Sequence, residues 1–156
     1  IVGERNSDKA EAVEFERHLH TIATEQLPGR VHFLGCRTDV PSLLHELTLL
    51  VHPARQEPLG RVLLEAAASA VPIVATDVGG TAEILPPDAN AARLVPAGDP
   101  TALAIAMREL LDNAPLRQTL ATNARRRIEE HFSVDRAVAG LLRHYDALRT
   151  ERLEEG

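Results

Sequence analysis

The sequence predicts a doubly wound α/β fold, a three-layer α/β/α arrangement around a parallel sheet. Two observations predict it: short β-branched runs alternate with helical patterns, and those runs are apolar throughout rather than alternating with polar residues. A third places the site. Gly3, Gly35, the loop from Pro53 to Gly60 and Gly79-Gly80 fall where strands end and helices begin, the ligand-binding edge of such sheets.

Taken in order, Ile1-Val2-Gly3 reads as the end of a buried strand. Residues 8 to 26 form a helix with Ala12, Phe15, Leu19, Ile22 and Ala23 on one face, behind Ser7 or Asp8 as cap. Strands follow at Arg30–Leu34, Leu49–His52 and Pro72–Thr76, with a weaker one at Arg93–Val95. A short helix is expected near Val40 to Glu46 and a buried one from about Gly60 to Ala70. Asp99-Pro100 caps a helix that turns Leu103, Met107, Leu110 and Leu111 inward. Asn113 to Pro115 restarts a helix bearing Leu116, Leu120, Ala124 and Ile128. Ser133 caps the last, with Val134, Val138, Leu141, Tyr145 and Leu148 in one stripe. The tail from Glu151 to Gly156 is expected to fray.

At 156 residues the chain is one domain's worth, or slightly less than one large α/β domain. Its 44% hydrophobic and 26% charged residues are ordinary for a globular protein. A net charge of −6 argues against nucleic-acid binding, and Arg125-Arg126-Arg127 reads as a solvated helix face. The single cysteine, Cys36, excludes an internal disulfide framework and fits the cytoplasm. No run approaches the roughly 18 to 20 apolar residues of a membrane span. The chain opens without Met, on what reads as a strand's last residues, so it is expected to be a piece of a longer protein.

One charged side chain, Glu65, stands between Arg61 and Asp77, inside Val62-Leu63-Leu64-Glu65-Ala66-Ala67-Ala68. A helix apolar nearly all round is a buried helix, and a carboxylate within it is costly unless bound. Glu57 lies eight residues earlier, on the loop before the helix. The helix start near Gly60 offers free N–H groups and a positive dipole end to a phosphate, and Gly60 permits close approach. One to two turns in, Glu65 is placed to take a vicinal diol such as ribose. Glu57 reaches what lies beyond the phosphates. Arg55 and Arg61 are the local cations that can offset a diphosphate's charge.

Metal chemistry finds no support. His18 and His20 are two apart and cannot share a helix face, and His45-Glu46 lacks a second His four residues after the first. His32 and His52 are expected in core or site-lining roles. The Cys36 thiol is expected to pack rather than react. Asp77 and Glu83 flank Gly79-Gly80, where capping of a short helix near Thr81 is the expected use.

Glu57-Pro58-Leu59-Gly60-Arg61-Val62-Leu63-Leu64-Glu65-Ala66 resembles the Glu, seven residues, Glu motif of group 1 retaining glycosyltransferases (the family 4 type) with the GT-B fold. Arg30–Gly35 is similar to that family's strand before the base-binding loop, Val71–Gly80 to its next strand and glycine turn, and Leu94–Pro100 to its edge strand and cap.

The resemblance implies a Rossmann-like, donor-binding C-terminal half of a GT-B enzyme, lacking its first β-α unit. Residues 1–131 would be the nucleotide-sugar domain, and 132–156 a helix crossing to an absent acceptor domain. It implies that Glu65 holds the ribose and that Glu57 contacts hydroxyls of the transferred sugar. Backbone groups at Leu59, Gly60, Arg61 and Val62 would cradle sugar and diphosphate, while Cys36 and Arg37 read the base mainly through main chain. No cofactor or metal is expected; the substrate is a UDP-, GDP- or ADP-sugar, and the acceptor a sugar, lipid or other molecule. A peripheral membrane contact of the full-length protein and a dimer through the last helix are further partners to test. The family often has Gly-Phe-Gly where Pro58-Leu59-Gly60 stands, so Pro58 has no amide to donate. Alone, the chain is expected to be inactive. A binding module without catalysis and a sugar-nucleotide epimerase are the alternatives.

Overall fold

The computed structural model describes residues 1–5 and 7–154. The chain divides into two units, Ile1–Val40 and Pro41–Gly156.

The first unit holds helix α1 (Ala10–Gln26) and two extended segments. Ile1 and Leu34 begin a parallel ladder: the Ile1 amino group donates to the His32 carbonyl at 2.7 Å and the Leu34 amide to the Ile1 carbonyl at 2.9 Å. The ladder goes no further as regular structure, so the strand expected at Arg30–Leu34 is extended backbone instead. His32, expected in a core or site-lining role, is exposed. So is Cys36, expected to pack. Lys9, not Ser7 or Asp8, occupies the N-cap of α1, and no side chain caps it. Of the face expected to be apolar, Ala23 is buried while Phe15 is 61% exposed. A unit this small cannot close a core over a whole helix face. His20 stacks on Phe33 with ring centroids 3.8 Å apart.

The second unit carries the sheet. Helix α2 (Val40–Glu46) starts at the boundary residue, followed by β1 (Leu50–His52), α3 (Arg61–Ala68), β2 (Ile73–Thr76) and α4 (Thr81–Ile84). A 3-10 turn at Pro87–Ala89 leads to β3 (Arg93–Val95), α5 (Pro100–Asp112), α6 (Ala114–His131) and α7 (Val134–Glu154). The strands are parallel in the order β1-β2-β3, with Val51 opposite Val74 and Ala75 opposite Leu94. All four residues of β2 are buried, as a strand covered on both faces requires. α5 packs on β2 and β3, and α3 on β2 and α6. Val74, Val95, Ala106, Leu110 and Leu120 form the core cluster.

Local chemistry sets the ends of these helices. The Asp99 carboxylate accepts from the Ala102 amide at 2.8 Å and Asn113 from the Leu116 amide at 3.0 Å, each before a first-turn proline as expected. α3 ends in a Schellman pair, Val71 N–H to the Ala66 carbonyl and Ala70 N–H to that of Ala67. Ala70 takes the left-handed conformation there (φ +53°), where glycine is usual, at a cost of about 1 kcal/mol. Leu111, expected inward, is 52% exposed because Leu110 takes the buried position beside it. The Arg125–Arg127 run splits: Arg125 pairs with Glu129 on the surface, whereas half-buried Arg127 donates to the Ile84 and Glu83 carbonyls at the end of α4. The α7 stripe of Val134, Val138, Leu141, Tyr145 and Leu148 is exposed. Helix continues to Glu154, through residues expected to fray, and Glu155 and Gly156 lie outside the described residues. Among the described residues no helix is long and apolar enough to cross a membrane.

Candidate functional site

The loop between β1 and α3 is strapped to the loop that follows β2. Buried Thr76, ending β2, donates from Oγ1 to the Ala54 carbonyl at 2.6 Å. The Gly80 amide donates to the Glu57 carbonyl at 2.9 Å. Gly79 passes so close that a Cβ on it would lie 2.3 Å from that same carbonyl oxygen. These contacts fix where the Glu57 side chain starts.

Its carboxylate then closes the loop. Oε1 accepts from the Gly60 amide at 2.6 Å and the Leu59 amide at 3.2 Å, and Oε2 meets His52 Nε2 at 2.8 Å. Glu57 thereby closes the turn that leads into α3 without capping the helix, and its carboxylate stands near the helix's positive dipole end, which favours an anion. Gly60 precedes the helix at φ +70°, which an L side chain rarely adopts. The Gly60 amide, the His52 contact and the Leu59 amide hold the Glu57 carboxyl below its ordinary range, against the desolvation that raises it.

A depressed pKa contributes stability that is complete above the unfolded value of 4.5 and is lost as pH falls through the lower folded value. Wild type is therefore expected to unfold at a higher temperature than Glu57→Gln at neutral pH. That difference should shrink steadily as pH falls below about 4.5 in paired melting curves.

The structure brings Glu57, Leu59 and Gly60 into one hydrogen-bonded turn, and Arg61, Val62 and Glu65 follow on the first turns of α3. The Leu59 and Gly60 amides are occupied by Glu57. Those of Arg61 and Val62 are first-turn amides with no intrahelical partner. Glu65 corrects the reading of a buried acid. Its side chain is 43% exposed, 3.6 Å from the still more exposed Arg61. α3 hides Leu63, Ala66 and Ala67 and turns Arg61, Glu65 and Ala68 outward, so it has a solvent face. Asp77 and Glu83 are exposed, and neither caps α4, whose N-cap is Gly80.

Arg55 joins Gln56, Glu57, Pro58, Val78 and Gly79 around a cleft of about 420 Å³. It also borders a second of about 350 Å³ with Pro53, Thr76, Pro96 and Asp99. Both open beyond the carboxyl ends of the strands, the expected edge. A larger hollow of about 620 Å³ along α5 holds one carboxylate, Glu109, already paired with Arg93 at 2.9 Å. Cys36 and Arg37 belong to the first unit. There the Cys36 amide donates to Glu4 at 3.4 Å, and Arg37 forks onto Asp39 at 2.8 and 2.6 Å. Among the described residues no group of three His, Cys, Asp or Glu side chains is arranged to hold a metal.

His52 is the site residue whose role the sequence left open. Its signal was its place, the last residue of a strand five positions before Glu57.

Comparison with known proteins gives a consistent result. A family model described as glycosyl transferases group 1 matches residues 1–113. The lipopolysaccharide core biosynthesis mannosyltransferase LpsB of Rhizobium meliloti is 31% identical over 136 residues, 86% of this chain and 39% of that protein. The crystal structure of Anabaena Alr3699/HepE in complex with UDP superposes with a TM-score of 0.84 at 27% identity, covering 94% of this chain and 40% of that one. The same protein in complex with UDP-glucose gives 0.83 at 28% identity, over the same shares of both chains. The chain thus spans about two fifths of the length of these relatives. In fold it matches the C-terminal Rossmann-like half of GT-B enzymes.

Proposed function

The chain belongs to the group 1 glycosyl transferases, and on that premise we propose that it is the half of such an enzyme that binds a nucleotide-diphosphate sugar. One observation carries the reading: two acids eight residues apart bracket the open start of α3 at the carboxyl edge of a parallel sheet. Glu65, exposed on the first turns, takes the ribose hydroxyls. The Arg61 and Val62 amides and the helix dipole meet the diphosphate, with Arg55 and Arg61 offsetting its charge. Glu57 faces the transferred sugar, and Leu59 and Gly60 line the same turn. The UDP and UDP-glucose bound in the two Alr3699/HepE structures favour a UDP-sugar over a GDP- or ADP-sugar.

In the intact enzyme the sugar is transferred with retention and without a metal, the leaving diphosphate being stabilised by amides and cations already in place. The acceptor, a sugar, lipid or other molecule, binds a domain outside these residues, and α7 lays its exposed stripe toward that domain. The enzyme works in the cytoplasm, where the acceptor brings it to a membrane surface only peripherally.

The test is a transfer assay on the intact enzyme with α-configured UDP-glucose, GDP-mannose and ADP-glucose, the product's anomeric proton being read by NMR. An α-linked product from one donor is expected, with no turnover by residues 1–156 alone. A β-linked product would refute retention. An epimerised sugar nucleotide would establish the isomerase alternative, and binding without turnover the non-catalytic one.

A further inference from the structure

We propose that His52 is a positioning residue for Glu57, holding one carboxylate oxygen so that the other closes the turn and the whole group faces the donor sugar. The inference rests on the transferase reading and adds a residue to it.

Glu57 has two oxygens and three partners. Both amide bonds fall on Oε1, from Leu59 and Gly60, and would leave the carboxylate free to swing about that anchor. The contact at Oε2 comes from His52, 2.8 Å away at the end of β1. An ionised carboxylate only accepts, so Nε2 carries the proton in this pair. Both side chains are mostly shielded, His52 21% and Glu57 18% exposed, which makes the bond stronger than a surface pair.

The two ends of the pair also stand on different supports. His52 is fixed by its place in the sheet, opposite Ala75. Glu57 is fixed through its carbonyl to the loop after β2. A residue anchored in the sheet therefore sets the direction of one anchored in the loop. A sugar approaching the cleft beside Glu57 meets a carboxylate with its orientation already chosen, which is where preorganisation lowers a barrier.

A positioning role makes a prediction that a structural role does not. A free nucleoside diphosphate lacks the sugar, so its affinity should ignore His52, while the sugar donor should sense it. In the intact enzyme, His52→Leu is expected to lower kcat/KM for the donor about tenfold or more, the scale of one charge-assisted hydrogen bond. The Kd of UDP should stay within about twofold of wild type. His52→Gln, whose amide reaches toward the same oxygen, should restore most of the loss. In a double cycle, His52→Leu should add little once Glu57→Gln is present. Should His52→Leu fail to fold, His52→Asn, with a shorter amide, replaces it.

An unchanged kcat/KM, a Gln variant as poor as Leu, or an equal loss for UDP and UDP-glucose would each overturn the role. Wild-type enzyme binding none of UDP-, GDP- or ADP-sugars would overturn the donor reading itself, and the two failures are distinct.

Discussion

Gly79→Ala is expected to destabilise the protein by roughly 2 to 4 kcal/mol and to weaken donor binding with it. Two effects add. Gly79 has φ +51°, which an alanine adopts only under strain. A Cβ there would also lie 2.3 Å from the Glu57 carbonyl oxygen and 3.1 Å from its carbon. Both are backbone atoms and cannot rotate away. The loop has to move, and it carries the Gly80-to-Glu57 hydrogen bond, the Glu57 side chain and the start of α3. Gly98→Ala is the internal control. Its φ is +77°, but no atom beyond its chain neighbours would lie within 4 Å of a Cβ there, so only the backbone strain of about 1 kcal/mol applies. Melting curves of the two variants should separate by several degrees. Equal melting temperatures would show that the close passage of the two loops does not hold the site.

Much of this arrangement could be read in the sequence, and the exceptions have physical causes. The strands at 49–52, 72–76 and 93–95 were legible because each is a short apolar run between turn residues, which a parallel sheet demands. The caps at Asp99 and Asn113 were legible because they are local, a side chain reaching an amide three residues on. What failed was longer in range. The exposure of Glu65 depends on where α6 lies, since an eight-residue helix of Ala and Leu gives little sign of which side its neighbours cover. The reach of Arg127 to the end of α4 spans 43 residues and leaves no local trace. Residues 30–34 have a strand's composition but form no more than the start of a ladder in their unit, since composition does not supply a partner. Of the site, the two acids and the glycines were visible as a motif. The use of both Glu57 oxygens within its own turn was not, because it needs His52 and the loop geometry together.

The second large effect concerns Glu65. Its carboxylate is open to solvent on the first turns of α3, with Arg61 its neighbour at 3.6 Å. An exposed pair of this kind contributes little to stability, so Glu65→Ala should leave the melting temperature nearly unchanged. Its effect on a ligand is another matter. A carboxylate that accepts both hydroxyls of a ribose makes two charge-assisted hydrogen bonds, worth together about 2 to 3 kcal/mol, or roughly 30- to 150-fold in Kd. Loss of affinity without loss of stability is what separates a binding acid from a structural one.

Calorimetric titration of UDP, GDP and ADP into the intact enzyme and into Glu65→Ala is therefore the measurement to make. One nucleotide should bind wild type, and its affinity should fall by that factor in a variant that melts normally. Binding of equal strength in the two proteins would contradict the assignment of Glu65 to the ribose, and with it the placement of the donor along α3.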